Sequence, residues 1–519
     1  MKLIKRISDY FLTKPHWGYI LIFLFSVMVF SWLQAGATLA DPDSFYHAKM
    51  AKMILDGGLV MDFPWLTGTM LSYSFIDHHF LYHLLLLPWV ALLPPLFGLK
   101  LATVIFASSA ILAVYWFLRQ LKVGGAFWFT LFLLTINPFI FRLNLAKAPA
   151  LALILMIFCI YQIFNRKYLG LVVVSYLFVW LYGGWPIVIV LSLIYCALGL
   201  IWPQRWQGWL ANRLGRPSIA YQNLLALLHV VVGCLAGLIF SPYFPTNLQF
   251  YWEQTYKIAL VNYQSVIAVG GEWYPYSITD LLIAAMPFFI LLLLCLMGFI
   301  ITIRRQSLNA WFFLILSFLF FILTLKSRRY VEYFVPVTVI FCAVSFNNYL
   351  PRIKRWFKEA LPQSLWPLVP LILFLLFTPI FFSDIKAVRA AFDSGVPLSR
   401  YAQASAWLEK SSQPQDIVFN SGWDDFPILF YYNDKNYYIV GLDPTFMYDY
   451  NPELYRLWYG ISSGQNTENI YQVIKNVFKA KYVFVSIRQT TTLAETLENN
   501  FNFKKVYQDS DAKIFEVLP

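Results

Sequence analysis

Charge is scarce in this sequence. Only 13% of its 519 residues are Asp, Glu, Lys or Arg, against roughly 25% in an ordinary soluble domain, which excludes a soluble globular chain. Cysteine is scarcer still. Cys159, Cys196, Cys234, Cys295 and Cys342 all fall inside apolar runs, so neither a disulfide framework nor a metal-spaced cysteine cluster is expected. No small-residue cleavage site closes the first apolar run, which reads as a retained span rather than a signal peptide. Internal repeats are missing, and ionisable residues crowd the ends of apolar runs rather than their middles, which argues against a transporter. What is there is 59% hydrophobic and 19% aromatic, with a mean hydropathy of +0.60. That is the composition of a polytopic α-helical membrane protein. The formal net charge of +12 lies mostly in short joints between apolar runs, where membrane orientation places it. Nucleic acid is therefore excluded as a partner.

Apolar runs alternate with short polar joints over 1–383, and the composition turns soluble from about Asp384 onward. Two domains are expected, 1–383 in the membrane and 384–519 outside it. Lys2, Lys5 and Arg6 hold the N-terminus in the cytoplasm, so the run 17–34 delivers the next loop to the outer face. Two runs, 80–97 and 101–118, then precede the basic joint 119–122. If both spanned, that joint and those at 165–167, 205–216, 304–305 and 352–358 would all lie outside. If 80–97, with Pro88, Pro94 and Pro95, is a juxtamembrane or re-entrant helix pair, all five are cytoplasmic, as the inward bias of basic residues demands. The further spans are expected at 126–142, 147–164, 168–182, 184–202, 223–242, 279–303, 308–325, 329–349 and 365–383. With the first two they make about eleven, at roughly 20 residues each. An odd number leaves 384–519 extracytoplasmic, together with loops 35–99 and 243–278 and joints 142–147 and 326–329. The tail reads as a small α/β domain, with helices at 399–409 and 467–479 and strands at 416–419, 437–440, 482–485 and 512–517. It carries neither a phosphate-cradling glycine loop nor a nucleophile elbow.

The polar groups expected outside are the ones suited to chemistry. Asp41-Pro42-Asp43-Ser44-Phe45-Tyr46-His47 comes just after the first span, at the edge where a carboxylate costs little. Asp41 and Asp43 at i and i+2, with Asp77-His78-His79 in the same loop, offer oxygen and nitrogen ligands for Mg²⁺ or Mn²⁺. Alternatively, one of His78 and His79 caps the following helix while the other meets water. Glu272, between Gly270-Gly271 and Pro275, reads as one carboxylate presented on a fixed turn, or as a helix terminator. Arg328 and Arg329 open a span from the outside, against the inward bias. A guanidinium there suits a phosphate by paired hydrogen bonds, or else snorkels to the interface. An external carboxylate cluster with an external arginine at the membrane edge fits a phosphate whose lipid stays in the bilayer.

These residues carry a resemblance. The stretch 43–54 (DSFYHAKMAKMI) resembles the first external loop of the C-type (GT-C) membrane glycosyltransferases, in particular the oligosaccharyltransferase catalytic subunit of the single-subunit bacterial and archaeal type. The resemblance implies a GT-C-like fold, a polyprenyl-linked saccharide donor and a divalent metal. It also implies a metal-binding, acceptor-facing role for Asp43. Ser265-Val266-Ile267 and Glu272 are similar to that family's mobile external loop, whose glutamate assists at acceptor and metal. Arg329-Tyr330 is similar to the arginine that meets the lipid-linked pyrophosphate, and Phe178-Val179-Trp180-Leu181-Tyr182 to a membrane hairpin. Two motifs depart from the family. Its second acidic motif should fall near 142–150, where this chain has Arg142-Leu143-Asn144-Leu145-Ala146-Lys147-Ala148-Pro149 and no carboxylate. Its Trp-Trp-Asp-Tyr-Gly motif is reduced to Trp423-Asp424 within Ser421-Gly422-Trp423-Asp424-Asp425-Phe426-Pro427, and these two are candidates to line an acceptor groove.

The expectation is a glycosyltransferase of a bacterial or archaeal plasma membrane. It would move a sugar or oligosaccharide from a polyprenyl-(pyro)phosphate to a protein, lipid or polysaccharide acceptor on the outer face. Asp43 and Glu272 are the catalytic candidates. Asp41, Asp43, Asp77 and His78 are the metal candidates, and Arg328 and Arg329 the donor-phosphate candidates. The alternatives are a flippase or transporter of lipid-linked saccharides and a polysaccharide polymerase, which would use external arginines such as Arg142, Arg328 and Arg329.

Overall fold

The computed structural model describes residues 15–201, 219–261, 264, 266–360, 362, 365, 368–466, 468–487 and 491–519. Lys2, Lys5, Arg6, the basic joint 205–216 and Ser265 lie outside the described residues. The chain divides into two units, each discontinuous in sequence. The first takes the described residues up to Gly36, within Leu101–Phe240 and within Glu272–Phe392; the second takes Ala37–Lys100, Ser241–Gly271 and Asp393–Pro519.

The first unit is helical, because its sequence is a series of apolar runs whose backbone groups only a helix can satisfy in lipid. Among the described residues five helical stretches are long and apolar enough to cross a membrane: His16–Gln34, Pro95–Gln120, Tyr221–Ile239, Leu308–Lys326 and Arg328–Pro351. Two bent pairs raise the number to seven if each is one span: Ala126–Leu133 with Asn137–Leu143, bent by 78°, and Ile278–Ala284 with Met286–Ile301, bent by 87°. Pro149–Asn165, Tyr168–Leu181 and Ile187–Ile201 are shorter apolar helices. A further helix, Leu368–Asp393, covers the last expected run. Each of the eleven expected spans thus falls on a helix or a bent pair, although five to seven have the length and composition of a full crossing. The helix Ile219–Ile239 packs backbone to backbone on Tyr168–Leu181. A Cβ at Gly233 would stand 2.4 Å from the Val172 carbonyl oxygen, and one at Gly237 2.8 Å from the Val179 Cβ. This small-xxx-small spacing is how helices approach closely where lipid offers no hydrophobic drive.

In the second unit the expected helix pair 80–97 is built differently. Pro88 does not break Phe80–Leu92 but sits inside it. The break is at Leu93, held extended (φ −138°, ψ 159°) before Pro94, as the residue preceding a proline prefers. The second member of the pair is the start of Pro95–Gln120 rather than a separate helix. The same unit contains a two-stranded pairing and a five-stranded sheet. β1 (Thr38–Leu39) pairs antiparallel with β2 (Val396–Pro397). The sheet comprises β3 (Ile417–Asn420), β4 (Tyr437–Tyr438), β5 (Tyr482–Ser486), β6 (Phe503–Gln508) and β7 (Ala512–Val517) in the order β4-β3-β5-β7-β6, with β3 parallel to both β4 and β5. β6 was not among the expected strands. Its FKKVYQ sequence puts two exposed lysines on an edge strand, a composition that protects an edge but hides the strand pattern.

The loop 37–100 belongs to this sheet's structure. Tyr438 N–H donates to the Trp65 carbonyl at 2.7 Å, and Thr67 and Gly68 donate to the carbonyls of Tyr438 and Ile439, both at 2.9 Å. Leu66 thereby continues the sheet beyond β4. The helix Asp43–Gly57 is buried along Phe45, Tyr46 and Met50, with Phe45 edge-on to Tyr431 and Lys49 ion-paired to Asp434 at 2.9 Å.

Integral membrane placement with the loop 35–99 outside predicts a labelling pattern. Tyr73 is 68% exposed, and Gln120 is exposed at the end of its helix. In a Cys196→Ser background, a membrane-impermeant maleimide should label Tyr73→Cys in intact cells and Gln120→Cys only after permeabilisation. The reverse pattern would overturn the orientation.

Candidate functional site

The first unit gathers four charged residues around one buried guanidinium. Arg142 ends the bent pair, at the last turn of Asn137–Leu143, and is 4% exposed. Its Nη1 donates to Glu272 Oε2 at 2.5 Å, while Nη2 and Nε donate to Glu332 Oε2 at 2.9 and 3.2 Å. Glu332 stands in the first turn of Val331–Ala360, where the helix dipole favours an anion. Glu272 lies in the short turn Gly271–Trp273. Ser327 Oγ donates to the Glu272 carbonyl at 2.8 Å, and Arg328 N–H to the Tyr274 carbonyl at 3.0 Å, so the turn is tied to the joint before Arg329.

Arg329 completes the cluster. Its Nη1 is 3.7 Å from Glu272 Oε1, its Nη2 donates to Tyr182 Oη at 3.0 Å, and its plane lies 4.4 Å over the Trp273 ring. Its Nε is buried with no hydrogen-bond partner, as is Glu332 Oε1. Lys147 Nζ is 4.0 Å from Glu272 Oε2. Burial alone pushes the Glu272 carboxyl up, yet Lys147, Arg329 and Arg142 outweigh it and hold the group well below the usual carboxylate range. A carboxylate so stabilised is a weak base. Its immediate task is to hold three cations. Among them Arg329 keeps a buried N–H without a partner, an arrangement suited to a phosphate anion.

The second unit holds the acidic stretch. Asp43 N–H donates to Asp41 Oδ1 at 2.8 Å, so the i, i+2 spacing starts the helix Asp43–Gly57 as an Asx turn. His47 lies one helical turn after Asp43 and is buried. Asp77 does not turn its carboxylate toward a shared metal position. Oδ2 lies 2.6 Å from His83 Nδ1, and Oδ1 accepts the His79 N–H at 3.0 Å. His83 Nε2 in turn lies 2.8 Å from His47 Nδ1. With Asp77 ionised, His83 donates through Nδ1; a neutral His83 then accepts from His47 Nδ1–H, which leaves the lone pair of a neutral His47 on Nε2. His78 stays half-buried, 5.1 Å from the Phe250 ring centroid. In the tail, Trp423 and Asp424 are half-buried while Asp425 is buried. Asp425 joins Tyr401 Oη at 2.8 Å and accepts the Gly422 N–H at 3.0 Å.

Of the residues singled out by sequence, Glu272, Arg328 and Arg329 thus meet in the first unit, and Asp41, Asp43, Asp77 and His78 lie in the second. Sequence reasoning passed over Glu332 and His83. The signal for His83 was its spacing from His79 (i, i+4) beside a carboxylate; Glu332, inside a span, gave the stronger hint, since a charge there asks for a partner. Among the described residues no group of three or more His, Cys, Asp or Glu is placed to hold a metal ion. Asp41 and Asp77 already accept the bonds described above, so these donors do not fit a divalent cation and no step is derived through one.

No protein-family model matches the sequence, and neither does any curated protein. Solved structures do match. The archaeal oligosaccharyltransferase AglB from Archaeoglobus fulgidus, in complex with an inhibitory peptide and a dolichol-phosphate, superposes with a TM-score of 0.64 over 94% of this chain and 73% of its own, at 14% identity. ArnT from Cupriavidus metallidurans, bound to undecaprenyl phosphate, gives 0.56 over 96% of this chain and 98% of its own, at 12% identity. The arabinofuranosyltransferase AftD from Mycobacteria gives 0.52 over 98% of this chain and 40% of its own, at 11% identity. The chain has the GT-C fold. At these identities the likeness is one of architecture, and the chemistry has to be argued from the residues above.

Burial, then the charge of Asp424, push the Asp425 carboxyl up to about 8. A folded value above the unfolded one, near 3.9, means the folded state binds more protons between the two. The stability this group contributes is complete below about pH 4 and lost as pH rises through about 8. The melting temperature of the full chain should therefore carry a decline over that window that Asp425→Asn flattens. An unchanged slope in Asp425→Asn would contradict the assignment.

Proposed function

We propose that this chain is a membrane glycosyltransferase that moves a sugar or oligosaccharide from a polyprenyl-(pyro)phosphate donor to an acceptor on the outer face. The observation that carries the reading is the cluster at the start of Arg328–Pro351. There the Arg329 guanidinium, with a buried N–H that has no partner, stands where an apolar span begins. A phosphate whose lipid tail stays in the bilayer needs that combination. The shared fold supports the same donor class, since AglB is in complex with a dolichol-phosphate and ArnT with undecaprenyl phosphate.

In this reading Arg329 meets the donor phosphate and stabilises the charge that builds on it as the glycosidic bond breaks. Glu272 and Arg142 hold Arg329 in register, and Arg328, its Nε on the Pro275 carbonyl at 3.1 Å, fixes the joint. Asp43 is the base that takes the proton of the acceptor. Asp43 sits in the first turn of its helix, where the dipole favours an anion, with Asp41 fixing its backbone. A cavity of about 200 Å³ lined by Asp62, Ser72, Tyr73, Ser74, Tyr243 and Thr246 gives the second unit a polar recess for an acceptor. Trp423 and Asp424 are further acceptor candidates. The acceptor class, whether protein, lipid or polysaccharide, is left open by these residues.

The test is transfer of radiolabelled sugar from membrane-extracted polyprenyl donors. Asp43→Asn should lower transfer by a factor of roughly 10² to 10⁴, the usual contribution of a positioned base, with donor binding retained. Arg329→Gln should weaken donor binding. Donor binding without transfer by the native chain would instead favour a carrier of lipid-linked saccharides, and full transfer by Asp43→Asn would remove Asp43 from the mechanism.

A further inference from the structure

The sequence departs from the resembled family where a second acidic motif is expected, and the structure has a cation in that segment. Arg142 and Lys147 come from the joint after the bent pair, and both face Glu272. Glu272 Oε2 takes Arg142 Nη1 and Glu272 Oε1 faces Arg329 Nη1; Glu332 Oε2 takes both remaining Arg142 donors. Three of the four carboxylate oxygens therefore point at guanidinium or ammonium groups. A divalent ion set between Glu272 and Glu332 would have to displace a buried, fully charged guanidinium, and no third ligand stands nearby among the described residues. Removing that guanidinium would leave the buried Glu332 carboxylate without its ion-pair partner. Arg142 therefore does part of what a metal does between paired carboxylates: it bridges them and fixes their positions. Arg329, with a buried N–H that has no partner, is then the group left to meet an anion. Glu332 Oε1, buried without a partner, keeps one acceptor for a hydroxyl of the ligand.

We propose that Arg142 is a built-in replacement for a divalent cation, a positioning residue that bridges Glu272 and Glu332 so that Arg329 meets a lipid phosphate without metal. The inference rests on the donor class given above, but its test separates the two.

Full-length protein in nanodiscs is titrated with Mn²⁺, read by the loss of the free-ion electron paramagnetic resonance signal, and with undecaprenyl phosphate, in EDTA and in Mn²⁺. The expected results are no stoichiometric Mn²⁺ uptake and lipid-phosphate dissociation constants in the two buffers that agree within about twofold. Arg142→Gln should weaken lipid-phosphate binding by about tenfold or more, the scale of one lost charge-assisted contact, and Arg142→Lys should recover part of it. Should Arg142→Gln fail to fold, the native chain and Arg142→Lys still decide the matter. Uptake of one Mn²⁺ that Glu272→Gln abolishes would overturn the proposal, as would lipid-phosphate binding that EDTA weakens tenfold. If the native chain holds no undecaprenyl phosphate in either buffer, the donor reading falls, and the Mn²⁺ titration alone decides whether Arg142 occupies a metal position.

Discussion

The first unit depends on one interaction: the Arg142 guanidinium forked between Glu272 and Glu332. A charge buried in an apolar bundle costs several kcal/mol unless it is paired and hydrogen-bonded. Each partner here makes the others tolerable. Arg142 comes from the bent pair, Glu332 from the start of a long helix and Glu272 from a turn tied to the joint at Ser327 and Arg328. Three segments far apart in sequence are therefore fixed by one set of charges. Arg329 inherits its position from that set, held by Glu272, Tyr182 and the face of Trp273. A guanidinium oriented on three sides with one N–H left over is prepared for an anion before the anion arrives, which is how charged sites avoid reorganisation during reaction.

The second unit solves a different problem. In the proposed mechanism Asp43 has to stand at a fixed place on a loop, and loops are mobile unless their backbone is paired. Here the loop is built into the C-terminal sheet through Trp65, Thr67 and Gly68 against Tyr438 and Ile439. The Asp43 helix is pinned by Phe45 and Lys49. The buried run Asp77, His83, His47 adds a third support, with His47 one turn from Asp43 on the same helix. The carboxylate thus stands on rigid structure although its segment reads as a loop.

How much of this was legible in the sequence differs by the range of the interaction. Apolar runs declare helices, so all eleven expected spans fall on helices, and the alternating tail strands were found except β6, whose Lys504 and Lys505 mask its pattern. Pro88 misled, because a proline is tolerated within a helix while Leu93, extended before Pro94, makes the break. Glu272 and Arg329 were singled out from their residue types and surroundings, and the structure brings the two together. Their partner Arg142 stood out as an external arginine and as a missing carboxylate, since the sequence shows a substitution but not what the new side chain reaches. The second unit, assembled from 37–100, 241–271 and 393–519, was likewise hidden. Its pairings join residues some 370 positions apart, as Thr67 and Tyr438 do, and no local period records them.

The central proposal is that the Arg142–Glu272–Arg329–Glu332 cluster receives the phosphate of a lipid-linked donor. The most direct measurement is a cryo-electron microscopy structure of the full chain with undecaprenyl phosphate. The expected result is phosphate density within hydrogen-bond distance of Arg329 Nε, with Arg142 still forked between the two glutamates and no ion between them. A phosphate bound away from Arg329, or one bridged to Glu272 by a metal ion with Arg142 displaced, would contradict it.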